Sequence, residues 1–203
     1  MAFPTTGVLD NFNRSNEGPP PSASWSTPTG ANGLEVISNV CPADTSPGWG
    51  IWNPGTFGAA SEAHCKANVA IADGKYLNLL VRGADTGALN TTDGYYAKAH
   101  ESFGGKFYIY RLDNGASTQL GATVEQTVSA GDYIGIEAIG TAIKGYYKAS
   151  GGSWAEIASR TSDTYSAAGY IGLAVYFGSA DDFGVGTVVA AATGNPWYAY
   201  HQQ

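Results

Sequence analysis

Hydrolysis of a glycosidic bond on a β-sandwich needs two carboxylates that look into one cleft. A single strand supplies them when they stand two or four residues apart, because side chains alternate with period two. The chain holds 17 Asp and Glu residues, and no two of them have either spacing. Asp181 and Asp182 are adjacent, and Asp132 and Glu137 are of opposite parity, so a strand would turn each pair to opposite faces. Carboxylates on separate strands stay open. No catalytic residue is assigned, and the chain is expected not to be an enzyme. His64, His100 and His201 are far apart, with no H-x-x-x-H pair and no plausible nucleophile beside them. The sequence has no G-x-S-x-G elbow, phosphate-binding loop or dinucleotide fingerprint.

Aromatic side chains are the next chemistry to consider. Trp49, Trp52, Tyr76, Tyr95, Tyr96, Tyr108, Tyr110, Tyr146, Tyr147 and Trp154 lie in or beside runs with strand character. Sugar rings stack on such faces, and a sandwich core also consumes them. In GYYAKAHES (94–102) and KGYYKAS (144–150) adjacent tyrosines must face opposite ways, so one of each pair is expected in the core. In GWGIWN (48–53), Trp49 and Trp52 follow a loop that looks like a sandwich edge; they are the carbohydrate-binding candidates. Trp197, Tyr198 and Tyr200 crowd the end of the chain after the small-residue run at 190–194. Large apolar area with polar handles is the material of interface anchors, so this group is expected to contact another subunit or a larger partner.

One cofactor is considered, a structural Ca²⁺. Asp10 lies in the first candidate strand, and Asp181 and Asp182 open the last. If those strands pair, their carboxylates could meet at one edge as an oxygen-rich set; turn formation and capping by Asp is the competing role. Cys41 and Cys65 form either a disulfide or two free thiols, and neither has metal-ligand spacing.

The elements that must position these residues are strands. Charged residues are 13% of the 203 positions, about half the usual ~25% share. There are 28 Gly, 9 Pro and 13 Tyr, a composition that favours strands broken by turns. The net charge of −7 offers no basic stripe for phosphates, so nucleic acid is not an expected partner. No apolar run is long enough to span a membrane, and MAFPTTGVLDNF lacks the pattern of a secretory signal. Period-two runs fall at 8–13, 33–41, 48–53, 62–71, 75–83, 94–102, 106–112, 117–124, 132–140, 142–150, 153–159, 170–178 and 181–189. Asn114-Gly115 supplies the chemistry of a two-residue hairpin turn, and ASGGSW (149–154) marks a second hairpin. Strands at this spacing without helices predict an all-β, two-sheet antiparallel β-sandwich or jelly roll. Residues 1–189 are expected to form it, with 190–203 as linker and aromatic tail.

LDNFNR (9–14), YIGIEAIGTAIKGYYKA (133–149) and GYIGLAVYFGSADDFGV (169–185) resemble the concanavalin A-like lectin/glucanase superfamily, and more narrowly its laminin-G-like domains. The shared pattern is an opening D-x-F-x-R (Asp10, Phe12, Arg14), a hairpin carrying KGYYK, a G-x-x-G-L step (Gly169, Gly172, Leu173) and D-D-F. The resemblance implies a jelly roll of one concave and one convex sheet. It implies lectins, carbohydrate-binding modules, hydrolases and structural modules of phage particles as functional company. The expected role is a non-enzymatic surface module of a larger assembly, foremost a phage virion protein such as a capsid decoration or tail-associated part. Its partners would be virion proteins or further copies of itself, with weak binding of surface glycans as an added role. It would be made in the cytoplasm and reach the outside by lysis. The alternatives are a secreted carbohydrate-binding module, or a glycoside hydrolase or lyase.

Overall fold

Asn114 and Gly115 both adopt positive φ, 46° and 76°, and close a two-residue turn between paired Asp113 and Ala116. This is the predicted hairpin, and its left-handed residues match the twist of the strands it joins. The computed structural model describes residues 2–43, 46–71, 74–87, 91–100 and 104–189. Within them the chain forms strands and turns, without helix.

The strands are β1 (Val8–Asp10), β2 (Trp25–Ser26), β3 (Asn32–Gly33), β4 (Cys41–Ala43), β5 (Gly48–Trp52) and β6 (Ser61–Ala67). Next come β7 (Tyr76–Gly83), β8 (Gly94–His100), β9 (Lys106–Asp113), β10 (Ala116–Gln119) and β11 (Val124–Glu125). The last are β12 (Tyr133–Ile139), β13 (Ala142–Lys148), β14 (Ala155–Thr161), β15 (Tyr170–Tyr176) and β16 (Gly178–Thr187). They build a seven-stranded sheet in the order β1-β16-β6-β12-β13-β14, with β4 on β16. The second sheet has nine strands in the order β10-β9-β8-β7-β15-β5-β2, with β11 on β9 and β3 on β5. Pairing is antiparallel except in the two-residue β3–β5 contact. The all-β two-sheet sandwich expected from the strand pattern is the fold observed.

Alternation along each strand builds the core. Leu77, Leu79, Val81, Tyr95, Ala97, Phe107 and Ile109 point inward from the nine-stranded sheet. Ala63, Cys65, Ile134, Ile136, Ile143, Phe183 and Val185 meet them from the seven-stranded sheet. The YY pairs split as parity requires. Tyr95 is fully buried in the core while Tyr96 lies in a separate cluster with Ile51, Leu80 and Leu112. Cys41 and Cys65 are free thiols, both fully buried.

One predicted strand is not formed. The run 33–41 is interrupted at Ser38 and Asn39, which take φ of 54° and 64° and turn the chain so that Ile37 and Val40 pair with each other. Polar turn residues override the β-branched neighbours here, although Leu34 and Val36 still enter the core.

Candidate functional site

On the nine-stranded sheet, the residues that alternate with the core side chains form an outer face whose rows follow from the register. Trp49 pairs with Ala174, Ala174 with Asn78, Asn78 with Lys98 and Lys98 with Tyr108. One row along, Ile51, Gly172, Leu80, Tyr96 and Tyr110 succeed one another. On the other side Tyr176, Tyr76 and His100 do the same. Ala174 at the centre is small, and the aromatic residues stand around it. The result is a cleft of about 240 Å³ lined by Trp49, Tyr76, Asn78, Tyr96, Lys98 and Ser117, among others. It has room for one sugar ring.

Its walls are held in place by their own contacts. Tyr96 stacks on Tyr110 with centroids 4.9 Å apart, and its hydroxyl bonds the Ser117 hydroxyl at 2.8 Å. Tyr76 packs against Tyr176 at 5.1 Å and carries the Lys98 ammonium 4.4 Å above its ring. Burial, with Tyr176 and Tyr96 nearby, pushes the Tyr76 hydroxyl up to about 12, so it stays a neutral hydrogen-bonding group. Burial draws the Lys98 ammonium below the ordinary lysine value. Asn78 is 5% exposed, and its Oδ1 has no hydrogen-bond partner. A buried amide oxygen left unsatisfied costs about 1–3 kcal/mol.

The structure separates the two tryptophans proposed as a pair. They are three residues apart on β5, hence on opposite faces. Trp49 lines the cleft. Trp52 packs on the core, edge-on to Trp25 at 5.5 Å, and lines a different depression with Asp10 and Arg14. Trp197, Tyr198 and Tyr200 lie outside the described residues.

The strands that carry the three aspartates do pair, with Asp10 opposite Phe183, but the carboxylates have other partners. Asp10 takes both Arg14 nitrogens at 2.7 and 3.0 Å, the Trp25 indole N–H at 2.8 Å and the Phe12 amide at 2.8 Å. Burial alone would raise its pKa, and these donors together with the Arg14 charge hold it below the usual carboxylate range. Asp181 pairs with the Lys66 ammonium at 3.2 Å, and Asp182 accepts from the Tyr133 hydroxyl at 3.0 Å. Cations and donors already take both Asp10 oxygens and at least one oxygen each of Asp181 and Asp182, an arrangement that does not fit a calcium site. No group of three or more His, Cys, Asp or Glu among the described residues is placed to hold a metal. The D-x-F-x-R motif is a structural clasp: it fixes Phe12 and Trp25 against Phe183 in the core.

Carboxylates on separate strands do meet on the outer face of the seven-stranded sheet. Glu62 of β6 stands directly opposite Glu137 of β12. The segment Phe3–Thr6 covers them. One Glu62 oxygen, Oε1, accepts from the Thr5 and Thr6 amides, both at 2.6 Å, and from their hydroxyls at 3.1 and 2.7 Å. Phe3 stacks on Tyr146 at 3.9 Å and fills the space above Gly135, where a Cβ would lie 2.3 Å from its ring. Glu62 is fully buried as a result.

No family model matches the chain, and no curated protein matches it in sequence. Solved structures match its backbone. The exoplasmic/lumenal domain of VIP36, in a Ca²⁺- and Man2-bound form, superposes with a TM-score of 0.66 at 11% identity, over 93% of this chain and 90% of that one. The legume lectin-like domain from Entamoeba histolytica gives 0.55 at 10% identity, over 91% and 97%. The GH43 protein BlXynB from Bacillus licheniformis gives 0.59 at 12% identity over 88% of this chain; the match spans only 39% of that longer protein. The fold is the concanavalin A-like jelly roll. Identities this low carry architecture alone, so the function of this concanavalin A-like sandwich is argued from its own cleft.

Of the cleft residues, sequence reasoning selected Trp49 and weighed Tyr76 and Tyr96 without choosing them. Asn78 and Lys98 were missed. The signal was present: YLNLLVRG and YYAKAH each place a polar residue on the parity that alternates with the core, flanked on that parity by Tyr76 and Tyr96.

Proposed function

We propose that this concanavalin A-like domain is a non-catalytic glycan-binding module whose sugar sits on the outer face of the nine-stranded sheet. Trp49, Tyr76 and Tyr96 would offer ring faces for stacking, and Asn78 a polar anchor. The observation that carries the reading is the aromatic-lined cleft itself, with the polar Asn78 and Lys98 among its lining residues. Structures of VIP36 with bound mannosides support it, since the same architecture there holds sugars. Hydrolysis is not part of the proposal. No carboxylate is among the described residues lining the cleft, and Glu62 of the opposed pair is sealed beneath the N-terminal segment. Placement of the module on a virion, expected from the sequence resemblance, belongs to the same proposal, and the protein would then copurify with particles. The direct test is a glycan array followed by ligand-observed NMR on the wild type and Trp49→Ala. Binding that Trp49→Ala abolishes, with folding intact, is the expected result. An empty array together with NMR silence for every class of glycan would overturn it.

A further inference from the structure

Lys98 is the unusual member of the cleft. Lys66, Lys106 and Lys144 each pair with a carboxylate, whereas among the described residues the Lys98 ammonium, like that of Lys148, lies over an aromatic ring, here Tyr76. No carboxylate among the described residues lines the cleft around it. The chain's net charge is −7, so a half-buried cation with no carboxylate partner among the described residues stands out against the acidic background. Directly across from it on β7 is Asn78, with its unsatisfied acceptor. A cation and an acceptor side by side, beneath aromatic walls, form a specific polar pattern: one group seeks an anion and the other a hydroxyl.

Resting on the glycan-binding proposal above, we infer that the ring taken by this cleft carries an anionic substituent, a uronate carboxylate or a sulfate ester. The substituent pairs with the Lys98 ammonium, and a hydroxyl of the same ring donates to Asn78 Oδ1. Lys98 already lacks part of its hydration, and burial has drawn its pKa down. An anion brought beside it restores that lost stabilisation, and a partly dry cleft strengthens the attraction compared with open water. A neutral ring in the same position would leave the cation unpaired. Overall acidity gives the protein no general attraction for polyanions, so preference for an acidic ring must arise inside the cleft.

The experiment compares methyl glycosides of glucuronate, galacturonate and 6-sulfogalactose with those of glucose and galactose, by saturation-transfer NMR and calorimetry. Wild-type protein should bind at least one acidic glycoside tenfold or more tightly than its neutral counterpart. The uronate and sulfate arms identify which anion is preferred. Lys98→Gln should bring acidic binding down to the neutral level, and Lys98→Arg should restore much of it, with melting curves confirming that both variants fold. Neutral glycosides bound as well as acidic ones, or a preference that survives Lys98→Gln, would overturn the inference while leaving glycan binding intact. Absence of binding by every glycoside, together with an empty glycan array, would overturn both proposals.

Discussion

Glu62 and Glu137 face one another across β6 and β12, two carboxylates opposed on one sheet face and both nearly withdrawn from water. Glu62 is held by four donors from Thr5 and Thr6, while Glu137 has the Tyr146 hydroxyl at 3.2 Å. Burial raises the Glu137 pKa above the ordinary glutamate value. The Tyr146 hydrogen bond opposes this, and the Glu62 charge adds to it.

Glu137→Gln should therefore stabilise the protein at neutral pH. A carboxyl whose folded pKa is raised contributes stability below its unfolded value, 4.5, and loses it as pH rises through the folded value. Like charges directly opposed on a sheet cost up to about 1 kcal/mol, which corresponds to a gain of up to about 2–4 °C in Tm for a chain of this size. Calorimetry at pH 4 and pH 7 checks the sign. A variant that gains no more at pH 7 than at pH 4 would contradict it.

Asp10 behaves in the opposite sense. Its folded pKa is lowered, so its contribution is present above the unfolded value of 3.8 and lost as pH falls through the folded one. Asp10→Asn should lose the Arg14 ion pair, cost about 2 kcal/mol because Arg14 is partly exposed, and lower Tm by about 4–8 °C. Its penalty should shrink in acid, as the wild type itself becomes protonated. An equal penalty at pH 2.5 and pH 7 would show that the loss is packing rather than charge.

The two tryptophans of β5 should separate in their phenotypes. Trp52→Ala removes a core-packed indole that leans on Trp25 and should cost about 2–4 kcal/mol, read as a lowered denaturation midpoint. Trp49→Ala should leave the midpoint nearly unchanged and remove sugar binding. Equal destabilisation by both would contradict this division.

Chelation should have no effect on stability. A ligand bound by the native state alone raises Tm, and the oxygens of Asp10, Asp181 and Asp182 are already engaged by Arg14, Trp25, Lys66 and Tyr133. A fall of several degrees on adding EDTA to metal-replete protein would overturn that assignment.

The strand framework was legible because alternation and turn chemistry agree along most of the chain: Asn114-Gly115 makes its turn and the YY pairs divide between faces. The 33–41 segment was not, because Ser38-Asn39 is a weak sequence signal until the chain around it is placed. The site was half legible. Parity alone separates Trp49 from Trp52, and that information was in the spacing. Convergence of Asn78 and Lys98 from different strands depends on register, as does the meeting of Glu62 with Glu137 from residues 75 positions apart. Asp10, Asp181 and Asp182 suggested a metal edge because a count of carboxylates says nothing of the donors that will satisfy them.

Phe3, seated on Tyr146, and Val188, bonded to Ala60, fix both ends of the described chain to the seven-stranded sheet. The cleft opens on the other sheet. The sandwich thus has a polarity: Phe3 and Val188 sit on one sheet, and the cleft looks out from the other. Copies tethered side by side on a scaffold would present their clefts in one direction. A site sized for a single ring gains from such display, since linked weak contacts bind a repeating polymer 10²- to 10⁴-fold more tightly, on the order of general multivalency, than one contact does. Coupling the protein to a sensor surface through the outer face of the seven-stranded sheet should leave the cleft free to meet polymer, and density of coupling, more than affinity of one copy, should govern how long a polymer stays.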